Sequence, residues 1–207
     1  MRPQTGELDR LLSKIRGCRY CADPPNGKPL PHEPRPVLRA SATARLAVCS
    51  QAPGTRVHAS GVPFTDASGD RLRAWMGVSP EEFYDEARIA IIPMGFCFPG
   101  QSDGGADLPP RRECSELWHR QLFAALPQIE LILAVGTYAQ GWHLGSCAGA
   151  TLQATMRDWR RHLTRNGAPR ILPLPHPSWR NNAWLKQHPW FEDELLPVLR
   201  REVRALL

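Results

Sequence analysis

RLAVCSQAPGTRVHASGVPF, residues Arg45–Phe64, sets the fold class. It opens as a short apolar run, Arg45 to Ser50, and breaks at Gln51, Pro53 and Gly54. A run this short, closed by turn residues, reads as a strand buried on both faces. The chain then bends into a loop that carries one amide, one imidazole (His58) and one aromatic ring (Phe64). Three more runs have the same character: Arg88 to Met94, Glu130 to Gly136 and Arg170 to Leu174. Segments of helical spacing separate them. SGDRLRAWMGV and SPEEFYDEA come first, then PRRECSELWHRQLFAALP with Leu117, Leu122 and Leu126 expected on one face, then TYAQGWHLG and Leu152 to Leu163. A closing helix, FEDELLPVLRREVRALL, runs from acidic to basic in keeping with its dipole. Strands alternating with helices predict an α/β sandwich around a central, mainly parallel four-stranded sheet. Such sheets bind ligands in the loops beyond the carboxyl ends of their strands. Three unusual loops fall there: the opening one, PMGFCFPG after the second strand and PHPSWRNN after the fourth.

At 207 residues and 42% hydrophobic, the chain is expected to form one well-cored domain over 1–207, with a cysteine-bearing N-terminal segment at 1–43. A net charge of +6 suits a polyanionic partner, although a modest excess also serves solubility. The 21 prolines fall mostly between the apolar runs and stiffen the loops. No apolar stretch approaches a membrane span, and MRPQTGELDRLLSKIRG lacks the apolar core of a signal peptide. The expectation is a cytoplasmic monomer with no membrane partner.

In that compartment a cysteine is a reduced thiol, a metal ligand or a small buried hydrophobe more often than half of a disulfide. Cys49, inside a strand, and Cys147, in GSCAGA, fit the plain reading. Cys18 and Cys21 form a CxxC, Cys97 lies in the loop after the second strand, and Cys114 opens the next helix. Four thiolates of this kind suit zinc or an iron–sulfur cluster, and spacing leaves both open.

The loop after the fourth strand holds His176 between Pro175 and Pro177, which restricts its orientation. Ser178, Trp179, Arg180, Asn181 and Asn182 follow. They supply a hydroxyl, a stacking plane, a cation and two amides, a set useful against phosphates and stacked bases.

Taken together, these elements resemble the uracil-DNA glycosylase superfamily, and most closely its iron–sulfur branch, family 4. That branch carries Gly-Glu-Ala-Pro-Gly, then Gly-x-Pro-Phe, then a small residue followed by Gly-x-x-Leu. Here they read SQAPG (Ser50 to Gly54), GVPF (Gly61 to Phe64) and SGDRL (Ser68 to Leu72). The branch's cluster cysteines match Cys18, Cys21, Cys97 and Cys114 in order, and its His-Pro-Ser matches His176, Pro177 and Ser178. The resemblance implies a three-layer α/β/α sandwich, a 4Fe–4S cluster over zinc, and DNA containing a damaged base as partner. Two positions depart from the pattern. The glutamate of the first loop is Gln51, and the asparagine that ends the family's second strand falls near Pro93 or Met94.

The activity so implied is hydrolysis of the N-glycosidic bond of a flipped deaminated or damaged base, uracil or a relative, in base excision repair. Phe64 is expected to stack on the base, with Ala52 and its neighbouring amides beside it. His176 would donate to the base as negative charge develops. Gln51 orients water but cannot act as a general base at neutral pH, with His58 and Asp66 as spare candidates. Ser178 and Arg180 would grip phosphate and Trp179 would fill the gap in the stack. The cluster is expected to be structural, because hydrolysis moves no electrons. Three alternatives remain: the same chemistry on a different base, a DNA-binding protein with weak or lost catalysis, and a zinc-stabilised module with another ligand.

Overall fold

The Arg45 run becomes β1, Leu46–Cys49, and it occupies the middle of the sheet. In the computed structural model, which describes residues 5–24, 28–164, 167 and 169–207, the helix Thr5–Arg16 (α1) precedes it. On one side β1 pairs in parallel with β2, Ile89–Ile91, with Leu46 opposite Ile89 and Val48 opposite Ile91. On the other it pairs in parallel with β3, Leu131–Val135, which in turn pairs with β4, Arg170–Leu174. The order is β2-β1-β3-β4 and every pair is parallel, as the alternating sequence predicts. β2 is shorter than its apolar run, and Arg39 bridges to Ile91 on its outer side.

Alternate residues of the strands face two separate cores. Leu46, Val48, Leu131, Leu133 and Leu172 enter the first, with Trp75 and Met76 of α3 (Ala67–Met76), Phe83 of α4 (Pro80–Tyr84), Met156 of α7 (Leu152–Arg157), Trp159 of α8 (Trp159–Thr164), and Leu199 of α10 (Leu196–Arg204). Ala47, Cys49, Ala90, Ile132 and Ala134 enter the second, with Leu8, Leu12 and Ile15 of α1, Leu122 of α5 (Arg112–Ala124) and Ala139 of α6 (Thr137–Leu144). Helices on both faces make three layers. Each fully buried leucine or phenylalanine contributes about 1.5–3 kcal/mol, so both layers are firmly held.

The short helix Asn182–Gln187 (α9) follows the loop after β4. Four expectations are corrected. The loop after β1 contains a short helix, Thr55–Ser60 (α2), which carries His58. Leu122 and Leu126 are buried, but Leu117 is 38% exposed, because five residues advance a helix by ~500° and carry Leu117 off the buried face. The Leu152 to Leu163 stretch is two helices, interrupted at Asp158. The closing helix begins with a π turn, Phe191–Leu195. Among the described residues no helix is long and apolar enough to cross a membrane.

Candidate active site

The first two strand-end loops are stitched together. The Ser50 carbonyl accepts from the Met94 amide at 2.8 Å and the Gln51 carbonyl from the Gly95 amide at 3.0 Å. Beyond β4, His176 packs over Gly136, where a Cβ would lie 3.5 Å from the His176 Cβ. The Ser178 amide donates to His176 Nδ1 at 3.2 Å, and Asn181 Nδ2 donates to the His176 carbonyl at 2.7 Å. Arg71 of α3 donates to Asn182 Oδ1 at 2.8 Å and pins the loop from outside. Because Nδ1 accepts, the ring proton sits on Nε2. Burial lowers the His176 pKa, with Arg180 acting in the same direction and Asp66 and Asp107 against it. His176 is therefore a neutral imidazole with one N–H to donate.

Phe64 is 8% exposed. With φ of 57° it is the one non-glycine residue of positive φ among the described residues. Its strained backbone is clamped through its carbonyl, which accepts from Arg73 at 3.1 Å and from the Tyr84 hydroxyl at 3.1 Å. Gly69 makes room for that carbonyl: a Cβ there would lie 1.9 Å from it. The ring meets Phe83 edge-on at 5.7 Å.

Between these groups lies an open pocket lined by Ser50, Ala52, Gly54, Phe64, Asp66, Ser68, Pro93, Asp107 and His176. It opens beyond the carboxyl ends of β1, β2 and β4, where the sequence predicts a site. The family model for the Uracil DNA glycosylase superfamily matches residues 39–200, more than half of the chain. The chain belongs to that superfamily. Membership carries a DNA-glycosylase-like function and a fold that binds DNA, and the parallel four-stranded sheet between helices agrees with it.

In this superfamily member, Ala52, Phe64, His176 and the reserve candidate Asp66 share the pocket. Gln51 does not line it. Its Nε2 turns to the Leu108 carbonyl at 3.5 Å. His58 is also elsewhere, with its ring 4.0 Å from that of His32 and 5.8 Å from that of Phe98. Asp107 lines the pocket although sequence reading passes over it. Its segment, GGADLPP, lies in the same connection as PMGFCFPG but well beyond the end of β2, so the strand end does not point to it. Ser178, Trp179 and Arg180 lie outside the pocket lining, in the same loop as His176. Trp179 is 71% exposed and the Arg180 guanidinium lies 5.6 Å from its ring centre.

Cys18, Cys21, Cys97 and Cys114 line a second, narrow and largely apolar hollow, with Ile15, Pro36, Phe96 and Trp118. As the side chains stand, no group of three or more His, Cys, Asp or Glu among the described residues is arranged to hold a metal ion. Burial pushes the thiols of Cys97 and Cys114 each up to about 12, and the Phe96 amide donates to Cys114 Sγ at 3.3 Å. By donor chemistry, four thiols lining one hollow could serve zinc or an iron–sulfur centre.

Proposed function

We propose that the protein is a DNA glycosylase that hydrolyses the N-glycosidic bond of a flipped deaminated or damaged base in base excision repair. The observation that carries this reading is the fixed, neutral His176, which shares one pocket with the clamped Phe64. Breaking the C–N bond leaves negative charge on the base, and a rigid N–H donor stabilises that charge as it forms. Phe64 offers a flat apolar wall for the extruded ring. Trp179, exposed beside the pocket, suits filling the vacated stack, and Ser178 and Arg180 suit flanking phosphate. Cys18, Cys21, Cys97 and Cys114 would hold a 4Fe–4S cluster of the family 4 kind, which when bound would tie α1 to the second-strand loop and α5.

The pocket supports a base other than uracil as a second reading. None of the side chains lining it is an amide, and Pro93 stands near the family's asparagine position. An amide presents a donor and an acceptor together, whereas carboxylates and hydroxyls present a different edge.

Labelled single- and double-stranded DNA carrying uracil, hypoxanthine or hydroxymethyluracil tests both readings. After incubation with anaerobically purified protein, alkali cleaves any abasic site. Cleavage at one base, lost with His176→Ala, identifies the substrate. Tight binding with no abasic product from any base would sink the glycosylase reading and leave a DNA-binding protein.

A further inference from the structure

Two carboxylates, Asp66 and Asp107, line the base pocket. Asp66 is already employed: it caps α3, and its Oδ1 accepts from the Gly69 amide at 3.0 Å. Asp107 is placed differently. It closes a small antiparallel excursion by bridging Gln101, and the Leu108 amide donates to the Gly100 carbonyl at 2.9 Å. Gln101 Nε2 donates to Asp107 Oδ1 at 3.2 Å. The other oxygen, Oδ2, abuts the first strand-end loop so closely that a Cβ on Gly54 would lie 3.1 Å from it. Gln51 meanwhile reaches the carbonyl of Leu108, the next residue, so it braces the peptide that carries Asp107.

We propose that Asp107 is the catalytic carboxylate that holds the attacking water and accepts its proton, with Gln51 as a positioning residue behind it. The proposal rests on the glycosylase reading. As the C1′–N bond breaks, its electron pair leaves with the base and C1′ becomes cationic. The water oxygen then bonds to C1′, and the proton it sheds passes to Asp107 and on to solvent. The departing base, held by His176 Nε2–H, takes up a proton from water, so one water is consumed and one free base released. A carboxylate attracts the sugar cation and accepts the proton. The neutral Gln51 amide does neither. Asp107 is exposed, so water reaches it freely.

Wild type, Asp107→Asn, Asp66→Asn and Gln51→Ala are compared in two assays. One is single-turnover excision of the base cut best. The other is binding to duplex DNA with an abasic analogue in cationic (pyrrolidine) or neutral (tetrahydrofuran) form. Asp107→Asn is expected to slow excision on the order of 10²-fold. It should also lose a wild-type preference for the cationic analogue of about 10-fold, with binding to the neutral analogue unchanged. Gln51→Ala should keep most of that preference. The preference is measured whether or not any base is cut, so absence of excision overturns the glycosylase reading by itself. An Asp107→Asn protein that retains the preference overturns the assignment of Asp107. So does an Asp66→Asn protein that alone loses it.

Discussion

The backbone amide of Ser178 donates to Nδ1 of His176 at 3.2 Å, and this one bond fixes the tautomer of the imidazole in the pocket. His176→Ala should therefore cut excision by roughly 10²–10³-fold, the usual cost of losing a donor aimed at developing charge. DNA affinity should stay within about twofold, since the ring sits in the pocket and not on the surface. Single-turnover rates and a binding titration check both halves. A large loss of affinity would mean that His176 acts in binding.

His119 gives the fold a pH signature. It is 0% exposed, and its Nε2 donates to the Pro93 carbonyl at 3.0 Å, which anchors the loop that lines the pocket. Burial lowers its pKa to about 4, whereas an unfolded histidine titrates near 6.5. Between those values the unfolded chain binds the extra proton, so stability is full above about 6.5 and falls as pH drops. From pH 6.5 to 5 the loss due to His119 alone is about 1.5 kcal/mol. Denaturant titrations at the two pH values should show it, and His119→Gln should shrink the difference by that amount.

The four strands, their parallel pairing and the converging loops were legible because buried parallel strands leave short apolar runs with clear stops. Ala52 and His176 follow two of those stops directly, and the structure brings both, with Phe64, around one pocket. The direction of Gln51 was not legible, because sequence gives a side chain's position but not its rotamer, and it turns from the pocket to Leu108. Asp107 was invisible because an excursion closed by its own bridge brings it back to the pocket. Leu8, Leu12 and Ile15, all buried, give α1 helical spacing, but the charged residues between them hide it in the sequence. The left-handed Phe64 leaves no local signal except Gly69, which it requires.

Gly69 and Gly141 should respond in opposite directions to alanine. A Cβ at Gly69 would lie 1.9 Å from the Phe64 carbonyl oxygen and 2.6 Å from its carbon, both rigid backbone. Gly69→Ala should cost about 3 kcal/mol or more and displace the pocket wall. Gly141 lies within α6 with nothing within 4 Å of its Cβ position. Gly141→Ala should stabilise by about 1 kcal/mol through helix propensity. Thermal melts of the two variants decide, and equal effects would contradict the packing described for Phe64.

The four cysteines of the second cavity predict a colour. Anaerobically purified protein should be brown and carry about four iron atoms per chain. Cys97→Ser and Cys114→Ser should each lose most of that iron, while Cys147→Ser, at an exposed position, should keep it. A colourless protein with one zinc per chain would instead place a single ion among the same thiols.

Trp179 is exposed over 71% of its surface, so its truncation separates binding from folding. Little packing is lost, and stability should stay within about 0.5 kcal/mol of wild type. If the indole stacks where the extruded base has left a gap, Trp179→Ala should weaken binding to abasic duplex DNA about 10-fold, because base–aromatic stacking is worth ~1–3 kcal/mol. The loss should be much smaller on undamaged duplex, where no gap exists to be filled. Equal losses on both would make Trp179 a general backbone contact. No loss on either would remove it from the DNA-facing surface.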